Sequence, residues 1–195
     1  APNMNDHTGK AYSENLSYDI ESDGEEGSYL LTLHLDEDYF QDKDRQYPVT
    51  IDPTVTWTGS TDFWDVYVIN GSYKNTNFYD NGVTAMMAGK SKQGVYRTYL
   101  RFKDFTAKIK GKYIDSATLT MYETGSSQSG QTIEARRVTE NWTRSGLKWS
   151  NRPGYSTNYG NVKTTGTAKK ARSINLTEYA RQCASGKITS YGVML

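Results

Sequence analysis

Short stretches of two-residue alternation recur along the 195-residue chain, separated by turns rich in Gly, Asn and Ser. In "YRTYLRF" (96–102), Tyr96, Thr98, Leu100 and Phe102 fall on one side, and Arg97, Tyr99 and Arg101, continued by Lys103, on the other. A period of two is that of a half-buried strand. "IDSATLTMY" (114–122) repeats it, with Ala117, Leu119 and Met121 inward and Thr118, Thr120 and Tyr122 outward. "DVYVI" (65–69), "TIEARRV" (132–138) and "SINL" (173–176) add shorter strand signals. "KITSYGVML" (187–195) also reads as a strand. Its apolar end suits the interior of a sheet, with Val193 and Leu195 ordered and paired, and raises the question of whether the chain is a piece of a longer protein.

Nearer the start, "LSYDI" (16–20) and "SYLLTLHL" (28–35) flank the charged turn "ESDGEEG" and predict a β-hairpin with Leu31, Leu33 and Leu35 on one face. The polar run 36–46 has room for a helical turn. "YPVTIDPTVTW" (47–57) carries Pro48 and Pro53, which exclude a central strand and make it an edge or crossover segment. A boundary near Pro53 separates a β-rich segment, 1–53, from a second domain, 54–195. One helix is predicted, over 177–185, with Thr177 as N-cap, Tyr179, Ala180 and Cys183 on its buried face, and Gly186 as its stop. Many short strands and one short helix predict an all-β protein, a β-sandwich of jelly-roll type preceded by a β-hairpin arm.

Composition agrees, with 16 Tyr against 5 Phe and 17 Gly. The net charge of +1 conceals a polarised chain. Residues 1–53 hold 13 of the 22 acids but 3 of the 23 bases, so the arm is strongly acidic and the second domain basic. A basic domain attracts a polyanion, unless the arm cancels it. No apolar run is long enough to span a bilayer, so no membrane insertion is expected. The single cysteine, Cys183, excludes an internal disulfide and a Cys-based zinc site.

Catalytic chemistry finds little to build on. The two histidines, His7 and His34, both lie in the arm, and "TGSSQSG" (124–130) has the letters of a serine elbow at the wrong spacing. "DEDYFQDKD" fails the EF-hand register, because Phe40 and Gln41 stand where an oxygen ligand and Gly are needed. No metal site is assigned; a structural calcium held by loop carbonyls and Asp65 is compatible with a jelly roll but has no linear motif. The basic clusters "KIKGK" (108–112) and "KKAR" (169–172) match no nucleic-acid motif, and nucleic acid is not expected as a partner.

"YPVTIDP", "DVYV", "YRTYLRF", "IDSATLTMY", "VTENWT" (138–143), "LKWSNRP" (147–153) and "SYGVML" (190–195) occur in the order seen in the DNRLRE-domain family, which the chain resembles over most of 47–195. The resemblance implies a jelly-roll module of bacterial cell-surface or secreted proteins, often beside RHS/YD-repeat regions in wall-associated proteins, with relatives described as carbohydrate-binding. It therefore implies a non-catalytic module, secreted or on the surface of a Gram-positive bacterium. The expected partners are a polysaccharide or cell-wall polymer and other domains of a parent protein. The alternative is a structural spacer that presents another part of that protein and binds no sugar. Arg144 departs from the family, which usually has an acid after its Trp-Thr pair.

Trp142 and Trp149 sit seven apart in "VTENWTRSGLKWSNRPGY" (138–155). In one unbroken strand they point to opposite faces, and a bulge at Gly146 would bring them together. Both belong to the signature that the family shares, which assigns them as structural aromatics that pack a core or pin a loop. Ligand candidates come instead from "WDVYVINGSYKNTNFYDNG", with Trp64, Tyr73, Phe78 and Tyr79, and from "PGYSTNYGN", with Tyr155, Asn158 and Tyr159. Both read as polar, adaptable loops rich in Tyr, Asn and Gly.

Overall fold

The computed structural model describes residues 3–8, 11–25, 28–52, 55–58, 62–79, 85–124 and 128–195. The chain forms two compact units, Ala1–Thr56 and Trp57–Leu195. The expected boundary at Pro53 and parts of the "ESDGEEG" and "TGSSQSG" turns lie outside the described residues.

In the first unit, β1 (Asn3–Asn5), β2 (Tyr12–Ser13) and β5 (Thr50–Asp52) form a small sheet in the order β2-β1-β5. The proline-flanked segment thus supplies an edge strand. The predicted hairpin is β3 (Ser17–Ser22) with β4 (Tyr29–His34), in antiparallel register with Ile20 opposite Leu31 and Tyr18 opposite Leu33. Its apolar face is exposed: Leu31 is 62% and Ile20 55% accessible. The acidic run forms the short helix α1 (Glu37–Gln41), capped by Asp36, whose carboxylate accepts from Tyr39 N at 3.2 Å and from the Ser13 hydroxyl at 2.7 Å. Those bonds, the Ser13 one foremost, hold the Asp36 carboxyl below its ordinary range. This segment is a short capped helix, in keeping with the helical turn expected over 36–46.

The second unit is a sandwich of unequal layers. One layer is a six-stranded sheet in which β11 (Tyr155–Lys163), β10 (Thr132–Val138), β13 (Val193–Met194), β8 (Gly94–Phe102) and β6 (Phe63–Ile69) follow in order, with β7 (Gly89–Ser91) also on β8. The alternation in 96–102 sorts as expected. Leu100 joins one core with Ala135, Val193 and Leu195, while Tyr99 joins another, on the opposite face, with Val66, Val68, Val138 and Met194. Over the Leu100 face lie the two-stranded sheet of β9 (Thr118–Tyr122) with β12 (Ala171–Asn175), and the helices α2 (Phe105–Ile109) and α3 (Thr177–Ala184). The inward residues Leu119 and Ile174 face each other across that antiparallel pair. Gly160 lets β11 approach β12, because a Cβ there would overlap the Asn175 carbonyl.

Two expectations change in detail. Thr177 is the first residue of α3 rather than its cap; Leu176 takes the cap position, and the Thr177 hydroxyl accepts from Ala117 N at 3.0 Å. Of 187–195 only Val193–Met194 form a strand, but that strand is interior, between β8 and β10. Leu195 exchanges backbone bonds with Thr98, at 2.8 and 3.2 Å. Gly192, at φ +94°, lies so close to the Leu100 carbonyl that any side chain would overlap it. Among the described residues no helix is long and apolar enough to cross a membrane.

Candidate functional site

The Tyr99 face is roofed by the 139–154 segment, which is a loop rather than a strand, so strand alternation does not govern its two tryptophans. Trp142 goes down: it is 5% exposed, meets Tyr99 edge-on at 6.0 Å, and donates from Nε1 to the Tyr191 carbonyl at 2.8 Å. Leu147 is buried beside it. The loop is pinned from outside by Asn77, whose Nδ2 donates to the Arg144 and Leu147 carbonyls at 2.8 and 2.7 Å. Asn151 pins it from within, accepting from Lys148 N and donating to the Gly146 carbonyl.

Trp149, at the head of a 3-10 turn over Trp149–Asn151, sits differently. It packs half-buried against this core and stands between two guanidinium groups, Arg152 at 4.2 Å and Arg97 at 5.1 Å from its ring centre. Arg97 also lies 4.8 Å from the ring of Tyr155 and donates to its hydroxyl at 3.2 Å, and Arg136 approaches that ring at 5.8 Å. The result is a ladder, Arg136–Tyr155–Arg97–Trp149–Arg152, that alternates cation and aromatic ring across β10, β11, β8 and the loop. Each rung is attracted through the ring quadrupole, by about 0.5–1 kcal/mol where exposed. Other bonds hold the arginines still: Arg136 to Glu134 at 2.8 Å, and Arg152 Nη1 to the Trp149 carbonyl at 2.7 Å. Beneath the ladder, Tyr99 is fully buried, and burial pushes its phenol up to about 12 despite the nearby Arg97 and Arg152.

Further along the same side of β8, Arg101 lies 5.5 Å from the ring of Trp64, which is 37% exposed and edge-on to Trp142. Arg101 is fixed to Asn141 Oδ1 and the Trp142 carbonyl. Arg101, Trp64 and Lys103 help line a shallow hollow of about 400 Å³. At the β6 edge, Arg144 stacks on exposed Tyr79 at 4.7 Å and pairs with Asp65 at 3.8 Å. Asp65, considered as a calcium ligand, thus has a protein cation beside it. Among the described residues no three His, Cys, Asp or Glu side chains converge. A rigid strip of guanidinium groups fixed on aromatic faces can donate hydrogen bonds to anionic or hydroxyl oxygens.

The structure divides the sequence candidates. Trp64, Tyr79 and Tyr155 lie on the arginine-bearing surfaces just described. Tyr73 is exposed, next to Lys74, whose carbonyl accepts from Ser150 N of the loop at 2.9 Å, and lies 6.1 Å from Phe78, which itself stacks at 4.7 Å on Tyr67 of the core. Tyr155, Asn158 and Tyr159 belong to a strand, β11, rather than a loop. Tyr155 and Tyr159 would share a face in a regular strand, but the register against β10 shifts twice, around Arg136, and turns them to opposite sides. Tyr159 packs edge-on against Tyr179 of α3 and donates to Gln182 Oε1 at 2.8 Å, and Asn158 Oδ1 accepts from Gly160 N. The arginines were missed as site residues, although the alternation in "YRTYLRF" already placed Arg97 and Arg101 on one outward row.

Residues 53–195, nearly three-quarters of the chain, match carbohydrate-binding module family 96. The chain belongs to that family. Among curated proteins, the chain is 28% identical over 158 residues to the tRNA nuclease WapA of Bacillus subtilis strain 168, a match that covers 72% of this chain and 6% of that protein. A tRNA3(Ser)-specific nuclease WapA of Bacillus spizizenii is 39% identical over 66 residues, 34% of this chain and 3% of the relative. The chain therefore spans a small fraction of the curated relatives it matches. No solved structure matches it.

Proposed function

We propose that the family-96 module binds an anionic glycan or cell-wall polymer without acting on it, through the arginine–aromatic ladder. The ladder is the observation that carries this reading: the rings of Trp149 and Tyr155 hold Arg97, Arg136 and Arg152 in place as fixed donors for anionic or hydroxyl oxygens. Arg101 with Trp64, and Arg144 with Tyr79, extend the same chemistry along the module. A non-catalytic role is supported by where reactive groups lie. Both histidines belong to the arm, and the Cys183 thiol is buried and pushed up to about 11. The nuclease activity in the relatives' names belongs to proteins of which the aligned stretch is 6% or less, and it is not carried over. The order of motifs shared with DNRLRE domains supports placement in a large secreted or surface protein of a Gram-positive bacterium, where other domains of the parent are neighbours.

The test is titration of the chain with a soluble polyuronate and with a neutral glucan at several salt concentrations. Polyuronate affinity should fall steeply as salt rises, because screening weakens exposed charge contacts. Arg97→Ala and Trp149→Ala should each lower it about tenfold, the loss of one charge-assisted bond or stacked ring. Binding that neither variant changes sinks the ladder as the site.

A further inference from the structure

On the other side of the six-stranded sheet, where Tyr159 faces α3, is a cleft of about 540 Å³ with the opposite chemistry. Tyr159, Gly160 and Asn161 of β11 form one wall. Asn175, Thr177, Glu178 and Arg181 form the second, and Asp115 and Ser116 close the end. We infer that this cleft is a second saccharide site, which takes a neutral, hydroxyl-rich pyranose unit. The inference stands independently of the ladder.

Three observations carry it. The Tyr159 ring is immobilised before any ligand arrives, by its hydroxyl on Gln182 and its edge on Tyr179, so stacking a sugar on it orders nothing further. Acceptors around it are free. Among the described residues Asp115 makes no side-chain hydrogen bond or ion pair, Asn161 none through its amide, and Glu178 uses one carboxylate oxygen, toward Gln182 Nε2 at 2.6 Å. The one cation in the lining is already committed. Arg181 donates from Nε to the Ile114 carbonyl at 2.7 Å and from Nη2 to the Asp115 carbonyl at 3.0 Å, so its guanidinium faces neutral oxygens and leaves both carboxylates unneutralised by contact. The Asp115 carboxylate and the remaining oxygen of Glu178 repel a uronate and accept from sugar hydroxyls, while the Asn161 amide donates and accepts. The ladder selects charge on one face of the sheet; the cleft selects hydroxyl groups on the other.

The experiment is NMR titration of the 15N-labelled chain with neutral gluco-, galacto-, manno- and xylo-configured oligosaccharides, in EDTA. At least one should shift the amides of Asn161, Thr177 and Glu178, with an affinity insensitive to salt. Asp115→Asn and Asn161→Ala should weaken it about tenfold each. Both residues are exposed, so the variants keep the parent melting temperature. The inference is overturned if no neutral oligosaccharide moves those amides. It also fails if the shifts survive in both cleft variants, or if binding appears only when calcium replaces EDTA.

Discussion

Replacing Trp142 separates a tryptophan that builds the fold from one that serves the surface. Its ring is 5% exposed, touches Tyr99 and Trp64 edge-on, and donates to Tyr191 O. Truncating such a buried ring to Ala removes about 3–5 kcal/mol. The Tyr191 carbonyl also loses its donor, which adds about 1 kcal/mol. A loss of about 4–6 kcal/mol is a large share of the roughly 5–15 kcal/mol that holds a domain together. For a unit of about 140 residues the unfolding entropy is near 0.3 kcal/mol/K, so the melting temperature should fall by about 13–20 °C. Trp142→Phe keeps most of the ring but orphans the carbonyl, and should lose about 1–3 kcal/mol, or about 3–10 °C. Trp149→Ala, at a half-buried ring, should lose less than about 2 kcal/mol while abolishing a rung of the ladder. All four tryptophans, at 57, 64, 142 and 149, lie in the family-96 module. Thermal unfolding followed by tryptophan fluorescence therefore reports on that unit alone. A Trp142→Ala variant that melts within a few degrees of the parent, or a Trp149→Ala variant destabilised just as much, would refute the division between the two rings.

Other variants test other parts. Glu123 is a nearly buried carboxylate that accepts from Thr165 N, Thr165 Oγ1 and Gly166 N at 2.7–3.0 Å, with Arg172 at 3.7 Å; Glu123→Gln should destabilise the module by about 1.5–3 kcal/mol in urea melts, and an unchanged midpoint would contradict this. Burial raises Tyr99 to about 12 and Cys183 to about 11, and raises Tyr179 too, so the folded state holds these protons more tightly than the unfolded chain. That stability is complete below about pH 8.5–10, the ordinary range of the two groups, and is lost as pH rises toward their folded values; a melting temperature flat across that range counts against it. Asp36 works in the other direction: its lowered carboxyl stabilises the arm above about pH 4, and the α1 cap should open as acid protonates it, read by amide exchange at Tyr39. Gly192→Ala should prevent stable folding, because a side chain there meets the Leu100 carbonyl; a soluble variant with parental melting would overturn the close approach.

What could be read in the sequence was whatever local periodicity controls. The alternations at 96–102 and 114–122 sorted Leu100 from Tyr99 and Leu119 from Thr120 correctly, because the pleat sends successive residues to opposite faces, although in β8 both faces carry a core. Gly186, at φ +74°, ends α3 as a left-handed residue should. The site was less legible because it is assembled across strands. Arg97, Trp149 and Tyr155 come together only when β8, β11 and the loop are neighbours, which no spacing along the chain encodes. "PGYSTNYGN" looked like a loop because its composition is that of turns, yet pairing with β10 overrides that propensity. The shifts that separate Tyr155 from Tyr159 arise from that pairing and leave no trace in one strand's own letters.

A sheet stitched together by Val193 and Met194 has a consequence for how the module forms. On one side, β6, β7 and β8 pair among themselves; on the other, β10 pairs with β11; among the described residues the two groups share strand pairing only through β13. That strand lies about ninety positions beyond the Leu100 it pairs with, so the loop must close late and at an entropic cost before the halves become one sheet. Until then β8 and β10 each present an unfilled edge to the same two-residue key. A neighbouring molecule carries an identical key. At high concentration during refolding, the exchange of this segment between copies is the misassembly that the topology invites, and dilution is its remedy.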